Sequence, residues 1–298
     1  DETEYTELTT VDTFVQLPLS RGHCWNVGIN VVCQNGLVSQ TANYRYSNIY
    51  AGNNSLVYWD LTAPNVSCYY GTTTYPRSGQ GRLDYGSDDF RNSCHTVHSN
   101  VYELDEDTRY LLPAVPCGYT HSVRLGNRWS ESGTEAIRYA IDVDTNDFSL
   151  LLVSYALVEQ DPFHTLDEQP KFKLKITDSI GVAINPCYDI NFTSGRGDEN
   201  WLNGLHGTKW IDWQTVGLDL SSMHGERIFV DLENRDCTAG GHYGYAYYCM
   251  RGEKKEITAD VCGDGQEAVL HAPSGFSYRW FRPNNPEVTL GTSDTLLA

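Results

Sequence analysis

The stretch PKFKLKITD, residues Pro170–Asp178, alternates apolar and polar side chains along its length. Phe172, Leu174 and Ile176 occupy every second position, and lysines fill the positions between them. Successive side chains of a β-strand point to opposite faces, so this pattern predicts a strand with one face buried and the other in water. Such half-buried strands are typical of antiparallel sheets.

The same alternation and an entirely apolar variant recur along the chain. RIFVDLE (Arg227–Glu233) places Ile228, Val230 and Leu232 on one face, whereas SLLLVSYALV (Ser149–Val158) is apolar on both faces and predicts a central strand. No stretch keeps a helical apolar period over several turns. Many strands separated by polar turns, without crossover helices, predict an all-β fold, an antiparallel jelly-roll β-sandwich.

The charge balance excludes two classes of partner. The 298 residues contain 21 Lys and Arg against 39 Asp and Glu, a formal net charge of -18. Such acidity argues against binding to nucleic acid or to an anionic membrane surface. No apolar run approaches the roughly 20 residues that span a bilayer, so we expect no membrane insertion.

The cysteines indicate an oxidising compartment. Nine cysteines are many for a cytosolic protein of this size, and there is no Cys-x-x-Cys pair or His pair at zinc-finger spacing. We therefore predict disulfides and a secreted, extracellular or cell-surface location, with at least one cysteine left without a partner in the chain because the number is odd. The disulfide candidates are Cys24, Cys33, Cys68, Cys94, Cys117, Cys187, Cys237, Cys249 and Cys262.

A boundary is predicted near residue 252. Residues 1–252 would form the sandwich, with a loop-rich and cysteine-rich N-terminal part, and the charged stretch Glu253–Glu256 would be a hinge. Beyond it, Trp280 follows a glycine-containing turn downstream of Cys262, which is similar to the core of an immunoglobulin-like or PKD-like module. Residues 253–298 are too few for the ~100 of a complete module, so a partial one is predicted.

The stretch DCTAGGHYGYAYYC, Asp236–Cys249, contains the first candidate site. Asp236 and His242 could ligate a metal, contact a ligand or act as acid and base. Alternatively, Gly240 and Gly241 make a tight turn with positive φ, and His242 only bonds a neighbouring loop.

The tyrosines of the same stretch share one strand face. Tyr243, Tyr245 and Tyr247 alternate with Gly244 and Ala246. An aromatic face of this kind can stack on sugar rings, which makes Tyr243 and Tyr245 candidates for ligand binding, or it can pack into a core.

A second candidate is a calcium site. Asp142, Asp144, Asn146 and Asp147 place oxygen donors close together in sequence, as in part of a calcium loop, although an EF-hand pattern is missing. A β-turn with solvated acids is the alternative. The acidic cluster within Glu103–Asp107 has the same two interpretations, so a structural Ca²⁺ is a possible cofactor.

A third candidate is the loop that follows the central apolar strand. It contains Asp161 and His164, with Glu168 a few residues further on, and these side chains could bind a ligand. Paired carboxylates also serve glycosidases, but Asp161-Pro162 is equally an ordinary turn starter. Because hydrolase motifs such as Gly-x-Ser-x-Gly and His-Glu-x-x-His are missing, we expect no enzymatic activity.

Several stretches together resemble a known family. They are SVRLGN (Ser122–Asn127), YALVEQDPFH (Tyr155–His164) with EQPKF (Glu168–Phe172), WQTVGLDL (Trp213–Leu220), and Asp236-Cys237 leading into GHYGYAY (Gly241–Tyr247). In this order they are similar to the extracellular module of large Bacteroidota surface proteins associated with type IX secretion and gliding motility. The resemblance covers roughly residues 94–281. It implies a galactose-binding-like or MAM-like jelly roll, a surface location and PKD- or Ig-like modules as neighbours.

These observations lead to a functional expectation. We expect a non-catalytic cell-surface module, either an adhesin or a glycan- or protein-binding segment of a larger protein, that uses loops at one end of the sandwich. Two alternatives are a carbohydrate-binding accessory domain of a secreted glycoside-degrading enzyme and a structural spacer in a surface filament.

Overall fold

The computed structural model describes most of the chain beyond residue 94. The described residues are 95–128, 130, 133–185, 189–196, 200–261, 268–273 and 276–298, together with the backbone of three earlier strands. The chain divides into two compact units, Asp1–Tyr50 and Ala51–Ala298. The described residues contain no helix, and hence none long and apolar enough to cross a membrane.

Every regular element of the described residues is a β-strand. In chain order the first nine are β1 (Cys24–Ile29), β2 (Ala42–Ser47), β3 (Asn65–Tyr70), β4 (His95–His98), β5 (Ser122–Gly126), β6 (Gly133–Asp142), β7 (Leu150–Gln160), β8 (Lys171–Asp178) and β9 (Asp189–Thr193). The others are β10 (Leu202–Asn203), β11 (Thr208–Asp219), β12 (Arg227–Arg235), β13 (Gly244–Glu253), β14 (Thr258–Val261), β15 (Ala268–His271), β16 (Trp280–Arg282), β17 (Asn285–Gly291) and β18 (Thr295–Leu297).

Two antiparallel sheets form the sandwich of the second unit. One has the order β10-β11-β7-β13-β5-β4, and the other has the order β3-β6-β12-β8-β9. Alternate side chains of both sheets meet in one apolar core, including Leu157 of β7, Leu174 of β8 and Leu232 of β12. The prediction of an all-β antiparallel sandwich is confirmed. The apolar face of each period-two strand is buried against the facing sheet.

The strand assignments made from sequence are confirmed in detail. Phe172 and Ile176 are fully buried while Lys173 between them is exposed. The doubly apolar stretch became β7, which lies between β11 and β13 in the middle of its sheet. The face of β7 that points away from the other sheet is buried as well, because residues 101–119 cover it.

Residues 101–119, which we call the covering segment, pack on the outer face of the six-stranded sheet. Leu112 and Ala114 of this segment contact a cluster that includes Ala156 of β7 and Tyr247 of β13. Farther along, Val115 packs with Cys249. The middle of the sheet is therefore buried on both faces, which explains why nearly every side chain of β7 and β13 is buried.

The strands define two ends of the sandwich. At the Gln160 end, β7 finishes beside the start of β13, and Gly244 pairs with Glu159. At the opposite Leu150 end, Glu253 pairs with Leu150, and the chain leaves the sandwich toward β14. The predicted boundary near residue 252 falls inside the second compact unit, and it stays a prediction.

The chain after β13 continues in short strands. β14, β15 and β18 form a three-stranded sheet, and β16 pairs with β17. Antiparallel pairing suits the predicted partial module, whose immunoglobulin- or PKD-like identity stays a prediction.

The cysteine prediction is partly wrong. Cys237 and Cys249 are free thiols in the sandwich interior, whereas Cys117 is disulfide-bonded. Both free thiols are buried among other side chains, where a free cysteine behaves as a small apolar residue. Cys33, Cys94, Cys187 and Cys262, and the side chains of Cys24 and Cys68, lie outside the described part of the chain.

Candidate functional site

Four exposed residues adopt a conformation that is rare outside glycine. Arg109, Tyr110, Phe163 and His206 have φ values of 63°, 59°, 58° and 54°, and they are the non-glycine residues with positive φ in the described ranges. The left-handed region costs an L-residue about 1 to 2 kcal/mol, because Cβ crowds the next carbonyl oxygen. Such strain persists where surrounding contacts impose it, and it is concentrated at functional sites. We call these four residues the loop platform.

The platform residues belong to three adjoining loops at the Gln160 end. The amide of Leu205 donates to the carbonyl of Asp107, and Nδ1 of His206 lies 3.0 Å from Oδ1 of Asp107. Gln160 donates its side-chain amide to the carbonyl of His206 at 2.8 Å. These bonds connect the covering segment, the turn before β11 and the loop after β7.

The loop after β7 is held by Asp161. Its Oδ1 accepts hydrogen bonds from the amide of Phe163 at 3.2 Å and from Nε2 of Gln169 at 2.7 Å. This Asx-type turn holds Phe163 in its left-handed conformation, with 77% of the residue exposed. Asp161, a predicted ligand-binding residue, therefore positions an exposed aromatic ring.

Tyr245 and Tyr247 of β13, and Tyr243 just before the strand, pack beneath the covering segment. Tyr245 is fully buried, and its hydroxyl lies 2.9 Å from carboxylate oxygens of both Asp105 and Asp107. Tyr247 donates to Asp105 at 2.7 Å, and half-buried Tyr243 donates to Asp107 at 3.0 Å. Tyr245, a predicted sugar-stacking residue, has no face exposed to a ligand in this arrangement.

Asp105 and Asp107 are thus buried hydrogen-bond acceptors. Burial raises the pKa of Asp105 above its ordinary value, although the tyrosine hydroxyls partly oppose the shift. Asp107 is paired with the Nε of Arg128 at 3.0 Å, which supplies a positive charge to this site. The predicted acidic cluster therefore fastens the covering segment to the sheet.

A second buried acidic pair lies between the sheets at the Gln160 end. Asp236 accepts hydrogen bonds from the amides of Gly133 and Gly244, both at 2.9 Å. Glu159 is fully buried on the core face of β7, and neither of its carboxylate oxygens has a protein hydrogen-bond partner. Desolvation raises the pKa of both acids well above their ordinary values, and the charge of Asp236 raises that of Glu159 further.

Asp236 and His242 have separate positions. Asp236 holds the first residues of β6 and β13 together from the interior. His242 lies half-exposed on the turn made by Gly240 and Gly241, whose φ values are 69° and 122°. Its ring stands at right angles to that of His164, with centroids 5.2 Å apart.

The predicted calcium loop lies at the Leu150 end, away from the platform. Asp142 pairs with Arg227 through two bonds of 2.6 and 2.7 Å, and Oδ1 of Asp144 accepts from the amide of Asn146 at 2.8 Å. Asp147 donates its amide to the carbonyl of Asp144 in the same turn. Both carboxylates have a pKa below the ordinary value, because Arg227 and Asn146 donate to them. The calcium site at these four residues stays a prediction.

Sequence reasoning missed much of the platform. Arg109 and Tyr110 lie in no recognised motif, and left-handed conformations are expected at Gly or Asn. His206 precedes Gly207, which is a turn signal without chemical meaning. Phe163 lies between the predicted site residues Asp161 and His164, but its exposure to solvent could be seen only in the structure.

No family model and no curated protein matches this chain. Among solved structures, it is similar to the carbohydrate-binding module TmCBM61 in complex with β-1,4-galactotriose, with 11% identity and a TM-score of 0.28, over 47% of this chain and 76% of that one. Another is a carbohydrate-binding module of the β-sandwich superfamily, with 10% identity and a TM-score of 0.29, over 76% and 72%. A glycoside hydrolase domain, Endo-D from Streptococcus pneumoniae R6, shares 12% identity at a TM-score of 0.25, over 68% and 31%. Likenesses of this size carry no argument about activity, and the candidate site depends on its own geometry.

Proposed function

We propose that this chain is a non-catalytic glycan-binding module of a secreted cell-surface protein, which binds through the loop platform. The observation that carries the proposal is that four exposed residues with left-handed backbone conformation lie on three loops that are hydrogen-bonded to one another. Strain of this kind is concentrated where a surface is preorganised for binding.

The chemistry of the platform suits a sugar. Phe163 and Tyr110 are 77% and 58% exposed, so their rings are available to the apolar face of a pyranose. Arg109 and His206, which are exposed on the same set of loops, add side chains that can donate hydrogen bonds. Because the net charge is -18, a neutral glycan fits better than a sulfated or uronic one.

The position of the platform also suits a module of a longer protein. The platform lies at the Gln160 end, whereas the chain continues from β13 at the Leu150 end. A ligand at the platform would therefore be presented away from that connection. Adhesion to a surface glycan is the role this arrangement favours.

A glycan array followed by calorimetry tests the proposal. We expect binding to a neutral oligosaccharide, and Phe163→Ala should weaken it about tenfold, equivalent to the loss of about 1.4 kcal/mol from an aromatic contact. Tyr110→Ala should act in the same direction. Ile180→Ala is the matched control, because Ile180 is 82% exposed in the turn after β8, at the Leu150 end.

Two outcomes would contradict the proposal. One is the failure of every neutral glycan on the array to bind the folded chain. The other is an affinity that Phe163→Ala and Tyr110→Ala leave at the level of the Ile180→Ala control.

A further inference from the structure

Three side chains with nitrogen and sulfur donors meet beside the loop platform. One donor atom each of His164, Cys237 and His242 lies within 4.8 Å of the others. Nδ1 of His164 is 3.2 Å from Sγ of Cys237, and the two imidazole rings meet edge to face. These residues come from two loops that are far apart in sequence.

The backbone fixes the three residues in place. Cys237 and His242 belong to one tight turn, which is closed by a bond from the amide of Cys237 to the carbonyl of His242. The amide of Thr238 donates to the carbonyl of Glu168, and this bond fastens the turn to the loop that carries His164. The donors are thus held by backbone bonds rather than by flexible side chains alone.

The ring of His242 supplies a separate sign of a missing ligand. Its Nδ1 is buried and has no protein hydrogen-bond partner. Buried polar atoms without a partner are uncommon and call for an explanation such as an ion.

We infer that His164, Cys237 and His242 form a binding site for a divalent transition-metal ion, for which Zn²⁺ is the best match. Thiolate and imidazole are the ligands that Zn²⁺ prefers, and it takes them in a tetrahedral arrangement. At the tetrahedral angle, bond lengths of about 2.0 and 2.3 Å place nitrogen and sulfur ~3.5 Å apart, so the 3.2 Å separation of Nδ1 and Sγ needs only a small opening.

Three protein ligands leave one coordination position open. Both histidines are half-exposed while Cys237 is fully buried, so an ion can enter from the histidine side and bind the sulfur within. His164 directly follows Phe163 in sequence, so a bound ion would restrict the motion of the loop after β7. This inference does not depend on glycan binding.

Metal titration of the purified, chelator-treated full chain tests the site. We expect one equivalent of Zn²⁺ to bind and to raise the melting temperature. Co²⁺ in its place should give a thiolate-to-metal charge-transfer band in the near ultraviolet. His164→Gln and His242→Gln should each weaken Zn²⁺ binding by at least about 100-fold, because even outer partners of a metal ligand contribute about 10- to 100-fold.

Cys237→Ser should abolish the charge-transfer band. His224→Ala is the matched control, because His224 is an exposed histidine beside Asp144 at the Leu150 end, and it should leave affinity and band unchanged. Because Cys237 is buried, its substitution could prevent folding. In that case the His164→Gln and His242→Gln variants, which change half-exposed residues, test the metal site.

The inference is overturned if the folded wild-type chain shows neither a Zn²⁺-dependent melting shift nor the band. That result would leave an ordinary hydrogen bond between His164 and Cys237. It is also overturned if the histidine variants bind Zn²⁺ as tightly as the His224→Ala control does. Loss of glycan binding alone would leave the metal site unaffected.

Discussion

Single carboxyl groups at the Gln160 end have opposite roles according to their surroundings. Asp161 is bonded to a loop amide and holds an exposed ring, whereas Glu159, two residues earlier, faces the core without a hydrogen-bond partner from the protein. Removing a carboxylate from water favours its neutral form, and the nearby Asp236 adds repulsion. Glu159 lies within β7 on its core face, whereas Asp161 follows the last residue of that strand and belongs to the loop, so the end of the strand separates their environments.

The raised pKa of Glu159 predicts a specific pH dependence. The folded state holds a proton that the unfolded chain releases near pH 4.5, so stability falls as the pH rises from there through the folded-state pKa. Glu159→Gln should flatten this fall and raise the melting temperature at pH 8 by a few degrees. Melting curves between pH 5 and 9 measure the effect.

Glu226→Gln is the control for this measurement, because Glu226 is an exposed acid outside the pair. A lower melting temperature for Glu159→Gln at every pH, together with a wild-type curve lowered by EDTA, would contradict a protonated Glu159. The carboxylate would then be ionised and would hold a cation.

The covering segment changes the environment of β13, because it buries a strand face that could otherwise meet a ligand. β13 was predicted to carry tyrosines on one face, and it does, but the covering segment buries that face. Asp107 connects the covering segment to the sheet, because it accepts hydrogen bonds from the hydroxyl groups of Tyr243 and Tyr245 and forms an ion pair with Arg128. The attachment of the covering segment to the sheet therefore depends on the negative charge of Asp107.

Asp107→Asn should therefore lower the free energy of unfolding by about 3 kcal/mol, because it leaves the Arg128 guanidinium without its buried counter-ion. Urea unfolding of the full chain measures the change. Glu106→Gln is a matched control, because Glu106 contacts the same arginine at 3.1 Å but is 50% exposed, and it should cost less than about 1 kcal/mol. Equal losses in the two variants would show that burial of Asp107 contributes nothing.

At the scale of the whole molecule, the last strands contact the sandwich through Phe276. A Cβ atom at Gly217 of β11 would overlap the ring of Phe276, so that ring packs directly on the backbone of the strand. Lys254 and Lys255 lie in the connection between, where they bond to the carbonyl of Thr145 and to Asp219.

Gly217→Ala should displace the Phe276 ring and loosen the C-terminal strands. We expect trypsin to cleave at Lys254 and Lys255 several times faster, since local opening exposes the connection. Phe276→Ala should have the same effect, and the double variant should add nothing to it. Unchanged cleavage in both single variants would show that the contact does not hold the strands.

The local sequence determined the strands and the faces they bury. Phe172, Leu174 and Ile176 needed only the period of two and a second sheet to identify their core face. The Gly240-Gly241 turn was equally readable, because positive φ is inexpensive only for glycine. These features depend on neighbours along the chain, which is why they were predictable.

Tertiary structure alone decided which loops meet and which tyrosines are covered. Tyr245 fits a sugar-binding face in sequence and is buried in the fold, because residues 101–119 cross over β13 from more than a hundred positions away. Cysteine and histidine spacing argued against zinc, and yet the fold brings His164 to Cys237. Alternation is a property of the strand itself, whereas contacts between distant loops depend on the packing of the entire sandwich.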